Sequence, residues 1–413
     1  MTALTPYSTN SNQNGITSRR RPLAPLPDQT QTSRPHPYRA GLTPATSPLR
    51  PHCLARDRLR LWTPSHSRSP QDAAGHPLHI SDADLDRILT VISVSWAQGT
   101  RTIYGSGLLT YHVFCDQRSI PEPQRCPASP ILILAFIANS AGAYSGKTLA
   151  NYVFAIRAWH ILHGQPWVMI QPELKAALDG AAVLTPSSSR RPKRQPITVK
   201  FLISAKLKLN LTLPFDAAFF ACLTTTFYSL ARLGEFTVPT LKAFNPAQHV
   251  KRSDLSHRVD RNSFEVSVFH IPTTKSSCDG EDVYWSSQPD PSDPQTALQH
   301  HFELNNPPLS DHLFAWHHPE GLWPLTRLAF MTTLKKLCKA LDVECFQGHG
   351  IRIGATLELL LRGVPFDVVK TIGRWSSEAF LVYLRDHAIV MAPYMQGTPI
   401  LEPFLHYTMP PPR

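Results

Sequence analysis

Three residues near the carboxyl end of the chain have side chains suited to chemistry on an anionic ester: His349, Arg352 and Tyr383. A phenol has a pKa near ~10, so it is a competent nucleophile at neutral pH only beside a base and fixed positive charge. Imidazole accepts protons near neutral pH, and guanidinium holds anionic oxygens with a planar fork. Together these types fit attack by Tyr383, whereas Tyr383 alone, among apolar neighbours, fits a core aromatic.

The composition favours a polyanionic partner and argues against a membrane protein. The 413 residues carry a net charge of +11, and 42% are hydrophobic, enough for two or three domains. No apolar run is long enough for a membrane helix, and seven scattered cysteines show neither metal spacing nor a disulfide framework. We therefore expect an intracellular protein with no membrane association, metal or cofactor.

The amino-terminal segment, residues 1–80, is predicted to be a disordered basic tail. It holds ten arginines, three aspartates and no lysine, and it is rich in proline, serine and threonine. It lacks apolar periodicity, so it would bury too little surface to offset the entropy of ordering. Its SRRRP stretch fits nuclear import or non-specific nucleic-acid contact, and it fits a merely solvated tail equally well.

Residues 81–183 show four apolar patterns at helical spacing, which predict a helical bundle with a shorter fifth helix over 172–183. Residues 184–198 then read as an extended basic linker. Its charges can follow a phosphate backbone or simply keep a linker soluble. The basic residues in question are Arg190, Arg191, Lys193 and Arg194.

Residues 199–395 combine helical patterns with a short alternating stretch. A helix capped by Thr198 is followed by a long apolar helix predicted to continue through Val238. The segment SFEVSVFHI alternates like a strand, and DVYWSS fits the returning strand. The fold class is therefore mainly α with a small antiparallel β-sheet, and residues 396–413 form a carboxyl-terminal tail.

Four short segments occur in a meaningful order: LARLGEF, IPTTKSS, HGIR and GRWSSEAFLVYL. Their order and spacing resemble those of the tyrosine recombinases, the phage-integrase family, in the form carried by eukaryotic Crypton- and DIRS-type mobile elements. The resemblance covers residues 80–395, and it implies an α-helical core-binding domain followed by an α+β catalytic domain. The catalytic residues that it implies are Arg232, Lys275, His349, Arg352 and Tyr383.

The resemblance also implies a role for each residue. Arg232 and Arg352 would clamp the non-bridging phosphate oxygens, and His349 would orient the phosphate or accept the phenol proton. Lys275 would protonate the leaving 5′-oxygen, and Tyr383 would hold DNA through a 3′-phosphotyrosyl bond. That bond conserves the ester's energy, so rejoining needs neither ATP nor metal.

Glu235 is expected to hold the arginine cluster rather than to react. Many family members carry histidine or tryptophan after the glycine of the last segment, whereas this chain has Arg374 followed by Trp375. Either residue can fill that catalytic position. Each motif residue also has an ordinary alternative, such as a helical Arg232–Glu235 pair or a solvated Lys275.

The sequence thus favours site-specific DNA recombination or integration in the nucleus, on double-stranded DNA. The resemblance implies a homotetramer that exchanges carboxyl-terminal segments between subunits, and residues 391–413 fit either that segment or a loose tail. On the fourth helix Lys147 and Arg157 share one side and fit a DNA groove or a solvated face. A DNA-binding protein that has lost cleavage and a type IB topoisomerase are the alternatives. The separate helical domain and basic linker favour site recognition over the topoisomerase.

Overall fold

The computed structural model describes residues 35–71, 75–189, 193–274, 277, 279–376, 385 and 387–395. The chain divides into two compact units, Met1–Arg191 and Pro192–Arg413. The fold class predicted from the sequence is confirmed, since helices dominate and the described strands are short and antiparallel. In the described part of the chain no helix is both long and apolar enough to span a bilayer.

Among the described residues, seven α-helices build the first unit. They are α1 (Arg58–Leu61), α2 (Asp82–Ser93), α3 (Gln98–Gln117), α4 (Glu122–Arg125), α5 (Pro130–Ser140), α6 (Gly146–Leu162) and α7 (Gln171–Val183). Side chains of Ser81, Ser129 and Ser145 accept hydrogen bonds from backbone amides in the first turns of α2, α5 and α6. These caps satisfy amides that lack a partner within the helix, and they thereby fix where the three helices begin.

The prediction of a disordered tail over residues 1–80 is wrong for its second half. Trp62 is fully buried in the core of the first unit, and its indole nitrogen donates to the carbonyl of Pro51. The buried Arg50 forms ion pairs with Asp116 and Glu122. The composition did not indicate this order, because the apolar and charged anchors of the segment find their partners on helices far away in sequence, such as Asp116 on α3 and Trp159 on α6.

The second unit contains the remaining elements. They are α8 (Val199–Lys208), α9 (Pro214–Tyr228), β1 (Leu255–Val259), β2 (Glu265–Ile271), β3 (Glu281–Trp285), α10 (Pro294–Asn305), β4 (Trp316–His318), β5 (Gly321–Trp323), α11 (Arg327–Ala340), α12 (Gly348–Leu361), α13 (Phe366–Ile372) and α14 (His387–Met391). Strands β1, β2 and β3 form an antiparallel sheet in that order, and β4 pairs with β5. In the sheet Ile271 lies opposite Glu281, at the end of the β2–β3 hairpin that faces its connection.

The linker prediction needs a similar correction at its carboxyl end, where the chain packs tightly on α12. The Ile197 amide donates to the Gly350 carbonyl oxygen at 3.0 Å, and the Ile197 side chain is fully buried. A Cβ on Gly354 would lie 1.7 Å from the Ile197 carbonyl oxygen. Two glycines one turn apart therefore leave room for the backbone of this segment, which belongs to the second unit and is no free spacer.

This close approach predicts that Gly354→Ala destabilises the second unit by about 1–3 kcal/mol, because the added methyl group displaces the Ile197 segment. Gly180→Ala on α7 is the control, since a Cβ there meets nothing within 4 Å. We expect it to be neutral or stabilising by up to ~1 kcal/mol. Urea denaturation of the full chain checks both values. Equal stability of Gly354→Ala and the unsubstituted chain would contradict the packing.

Candidate active site

The first arginine of the site, Arg232, lies shortly after α9 and directly precedes a short 3₁₀ turn formed by Leu233–Glu235. The helix predicted to reach Val238 ends at Tyr228, because the chain reverses at Leu230 with φ 50°. The Glu235 carboxylate accepts two hydrogen bonds of 2.8 Å, one from the Arg232 backbone amide and one from Arg232 Nη1. The Glu235 side chain is 7% exposed and the Arg232 side chain 26% exposed, so the carboxylate anchors a guanidinium that still reaches solvent.

His349 and Arg352 lie three residues apart in the first turns of α12. His349 is partly exposed at the start of the helix, whereas Arg352 is fully buried. The Arg352 guanidinium donates through Nη2 to the Gly373 carbonyl and lies 4.3 Å from the centre of the Trp375 ring. Helical periodicity thus brings both groups to one end of α12, and the aromatic face covers the arginine charge.

Arg374 occupies the position after Gly373 and has a left-handed backbone, with φ 56°. Its Nη2 donates to Glu235 Oε2 at 2.7 Å and its Nη1 donates to Glu281 Oε2 at 2.9 Å. The Arg374 side chain is 11% exposed. Of the two residues considered for the last catalytic position, Arg374 therefore lies between carboxylates, and Trp375 lies on Arg352.

Four arginines act electrostatically on His349. Burial lowers the pKa of His349 below its ordinary value of 6.5, and the positive charges of Arg194, Arg327, Arg352 and Arg232 lower it further. Arg194 belongs to the linker segment and donates through Nε to Gln347 Oε1 at 2.8 Å. Arg327 is the first residue of α11, and it was not predicted because nothing in its local sequence distinguishes it.

The lowered pKa predicts that His349 is neutral at pH 7 and becomes protonated only below pH 6.5. NMR titration of the His349 ring checks this by locating its midpoint. Arg194→Gln should move the midpoint up toward 6.5, because it removes a repelling charge. Lys193→Gln is the control, an exposed neighbour that we expect to leave the midpoint unchanged. A midpoint at or above 6.5 in the unsubstituted protein would contradict this view of the site.

Two of the five predicted catalytic residues, Lys275 and Tyr383, lie outside the described residues, as do Arg190 and Arg191. Their assignments remain predictions. Thr274 and Ser277, which flank the segment of Lys275, are joined by two hydrogen bonds of 2.9 and 3.0 Å. These bonds close the chain on itself between β2 and β3.

The residues predicted to bind DNA outside the site are exposed where they are described. Lys147 and Arg157 both project from α6 into solvent, on a helix whose other sides are buried. Lys193 and Arg194 are exposed as well. Exposure is needed for a phosphate contact, and it is equally the state of a solvated lysine or arginine.

The chemistry open to this arrangement is that of an anion site beside a neutral imidazole. Exposed guanidinium groups can hold phosphate oxygens, and the imidazole can accept a proton from an oxygen nucleophile. Among the residues that the structure describes, no cluster of three or more His, Cys, Asp or Glu side chains is arranged to hold a metal ion.

Comparisons with known proteins bear on the fold. No protein-family model matches the sequence, and neither does any curated protein. A structural likeness links the chain to the XerH site-specific recombinase in a post-cleavage complex with palindromic difH substrate. The two are 12% identical over 80% of this chain and 89% of that chain, with a TM-score of 0.49.

Two further structures show a weaker likeness. The Tn1549 transposon integrase in complex with circular intermediate DNA is 12% identical, over 75% of this chain and 99% of that chain, with a TM-score of 0.44. The FLP recombinase in a Holliday junction complex is 15% identical, over 72% of this chain and 77% of that chain, with a TM-score of 0.32. Two of these proteins are thus recombinases and one is a transposon integrase.

Proposed function

We propose that this protein breaks and rejoins duplex DNA, with Tyr383 as nucleophile and a 3′-phosphotyrosyl intermediate. One observation carries the proposal. Arg232, which the motifs select from a distant part of the sequence, acts electrostatically on His349 in the folded chain, as does Arg352 on the same helix as His349. A chance match of short motifs gives no reason for such convergence.

The chain on either side of Tyr383 supports its assignment. Trp375 stacks on Arg352, and the Arg385 Nε lies 3.5 Å from the Arg194 carbonyl oxygen. Described residues that precede and follow Tyr383 in the sequence thus contact Arg352 and Arg194, two of the arginines that act on His349.

In the proposed reaction the Tyr383 oxygen attacks phosphorus and the bond from phosphorus to the 5′-oxygen breaks. Neutral His349 takes the phenol proton, and Lys275 gives a proton to the leaving 5′-oxygen. Arg232 and Arg352 offset the charge that builds on the non-bridging oxygens. Trp375 stacks on Arg352, so a phosphate reaches this guanidinium only if the ring moves aside.

Several features of the proposal concern the biological setting. We place the activity in the nucleus and assign it to recombination or integration of mobile-element DNA by a homotetramer. The net charge of +11 and the exposed basic residues Lys147, Arg157, Lys193 and Arg194 support a strongly salt-dependent affinity for duplex DNA. A non-cleaving DNA binder is not favoured, because its one supporting feature was the Arg374–Trp375 turn, which holds Arg352 and Glu235 here.

The experiment that tests the proposal traps the covalent intermediate without knowledge of the target. The full chain is incubated with a pool of randomised nicked duplexes, on which cleavage releases a short strand and rejoining fails. DNA that stays attached to denatured protein is then recovered and its junctions sequenced. We expect a preferred junction sequence from the unsubstituted chain and no adduct from Tyr383→Phe. An equal yield from both proteins would contradict the proposal.

A further inference from the structure

Arg374 connects two carboxylates that come from separate parts of the second unit. Together with the Arg232–Glu235 pair it forms a series of alternating charges, Arg232–Glu235–Arg374–Glu281, here called the ion-pair chain. Each link is 2.7 to 2.9 Å long. Because the Arg374 charge is largely removed from water, a carboxylate at each end is needed to compensate it.

Within the ion-pair chain, Glu281 is the residue that no sequence motif indicated. It is the first residue of β3 and lies opposite Ile271, the last residue of β2. It therefore stands at the base of the β2–β3 connection, the segment that contains Lys275. Gly280 just before it has φ +83°, and a Cβ there would lie 2.7 Å from the Ile271 carbonyl oxygen, so the two strands approach closely at this point.

The backbone conformation of Arg374 also helps to fix its side chain in this arrangement. A left-handed φ is uncommon for a residue with a side chain, and Arg374 adopts it directly after α13. Its amide donates to the Thr371 carbonyl oxygen at 2.9 Å, which fixes the turn. Both terminal nitrogens of the guanidinium already donate to carboxylates, so Arg374 is better placed to join elements than to bind a phosphate.

We propose that Glu281 is a positioning residue. Through Arg374 it holds the base of the β2–β3 hairpin against Glu235 and Arg232, so that Lys275 reaches the leaving 5′-oxygen of the phosphate held by the arginines. The chemical consequence rests on the proposed function. That Glu281 anchors the base of the β2–β3 hairpin does not depend on the proposed function.

The mechanical part is tested by hydrogen–deuterium exchange of the full chain. Glu281→Gln keeps the size of the side chain and removes its charge, and we expect faster exchange in peptides that cover residues 272–280. Asp282→Asn is the matched control, because Asp282 is the next carboxylate along β3 and pairs with His270 on the exposed side. Unchanged exchange in Glu281→Gln, or equal changes in both variants, would overturn the proposal.

The chemical part is tested with the nicked duplex recovered by adduct trapping, made with oxygen or with sulfur at the bridging 5′-position. A thiolate leaves without a proton. Glu281→Gln should therefore cleave the oxygen ester about tenfold more slowly than the unsubstituted chain. This loss is smaller than the 10²–10⁴-fold rate acceleration that a general acid typically supplies, because Lys275 itself is still present. It should cleave the sulfur ester at the unsubstituted rate, and Asp282→Asn should match the unsubstituted chain on both.

Slow cleavage of both esters by Glu281→Gln would mean that Glu281 acts on the nucleophile or on the fold, and the proposal would be overturned. The same holds if Glu281→Gln cleaves the oxygen ester at the unsubstituted rate. If the unsubstituted chain forms no adduct with any duplex, the proposed function fails. The exchange comparison then still decides whether Glu281 anchors the hairpin.

Discussion

Glu235→Ala is expected to destabilise the second unit by about 3 kcal/mol, the lower end of the cost of removing one partner from a buried ion pair. Glu235 is almost completely buried and accepts from the Arg232 backbone, the Arg232 side chain and the Arg374 side chain. Its removal leaves two guanidinium groups facing each other without a carboxylate between them. Arg232 keeps access to solvent, and for this reason the lower end applies.

Urea denaturation followed by hydrogen exchange measures the free energy of unfolding for peptides of Pro192–Arg413 separately from the rest of the chain. Glu265→Ala serves as the control, since Glu265 is an exposed carboxylate at the start of β2 in the same unit. We expect a change within about 0.5 kcal/mol for this surface site. Similar values for the two variants would show that Glu235 does not organise the arginines.

Arg352→Lys is expected to reduce the rate of adduct formation by about 10²–10³-fold, the typical loss when one donor to a developing oxyanion is removed. Lysine keeps the charge, but it loses the planar fork and the stacking on Trp375. It also provides a poorer match to the Gly373 carbonyl, which the guanidinium reaches in the folded chain. The loss should therefore appear in the chemical step more than in DNA affinity.

Single-turnover cleavage of the nicked duplex and equilibrium DNA binding separate these two effects. Arg362→Lys is the matched control, because Arg362 lies just after the same helix and pairs with Glu358 on the surface. We expect it to cleave at close to the unsubstituted rate. A uniform loss of affinity in Arg352→Lys, without a slower chemical step, would place Arg352 outside the reaction.

Local signals allowed much of the fold to be predicted from the sequence. Serines and threonines at helix starts cap their own helices, and the strand pattern located β2 correctly. Its core residues are Phe269 and Ile271, whereas Phe264 and His270, on the face that alternation suggested, are exposed. Elements whose stability comes from distant partners were missed. Strand β1 is mostly exposed, and α10 has a polar sequence, so neither has a clear apolar pattern. The ordered part of the amino-terminal segment was missed for the same reason.

In the candidate site, too, residues with a local sequence signal were predicted and residues defined by distant neighbours were not. Arg232, His349 and Arg352 were chosen as candidates because each lies in a recognisable short motif. Arg327 and Glu281 were not, since their roles follow from three-dimensional neighbours that the local sequence does not specify. The sequence also left open whether Arg374 or Trp375 serves the last catalytic position. The structure gives each of them a distinct set of contacts.

The most direct test of the central claim is to identify the residue that carries the DNA. Adduct formed on the nicked duplex is digested with nuclease and protease, and the peptide that retains a nucleotide is sequenced by mass spectrometry. We predict a nucleotide joined through its 3′-phosphate to the oxygen of Tyr383. Attachment to any other residue, or through a 5′-phosphate, would contradict the account.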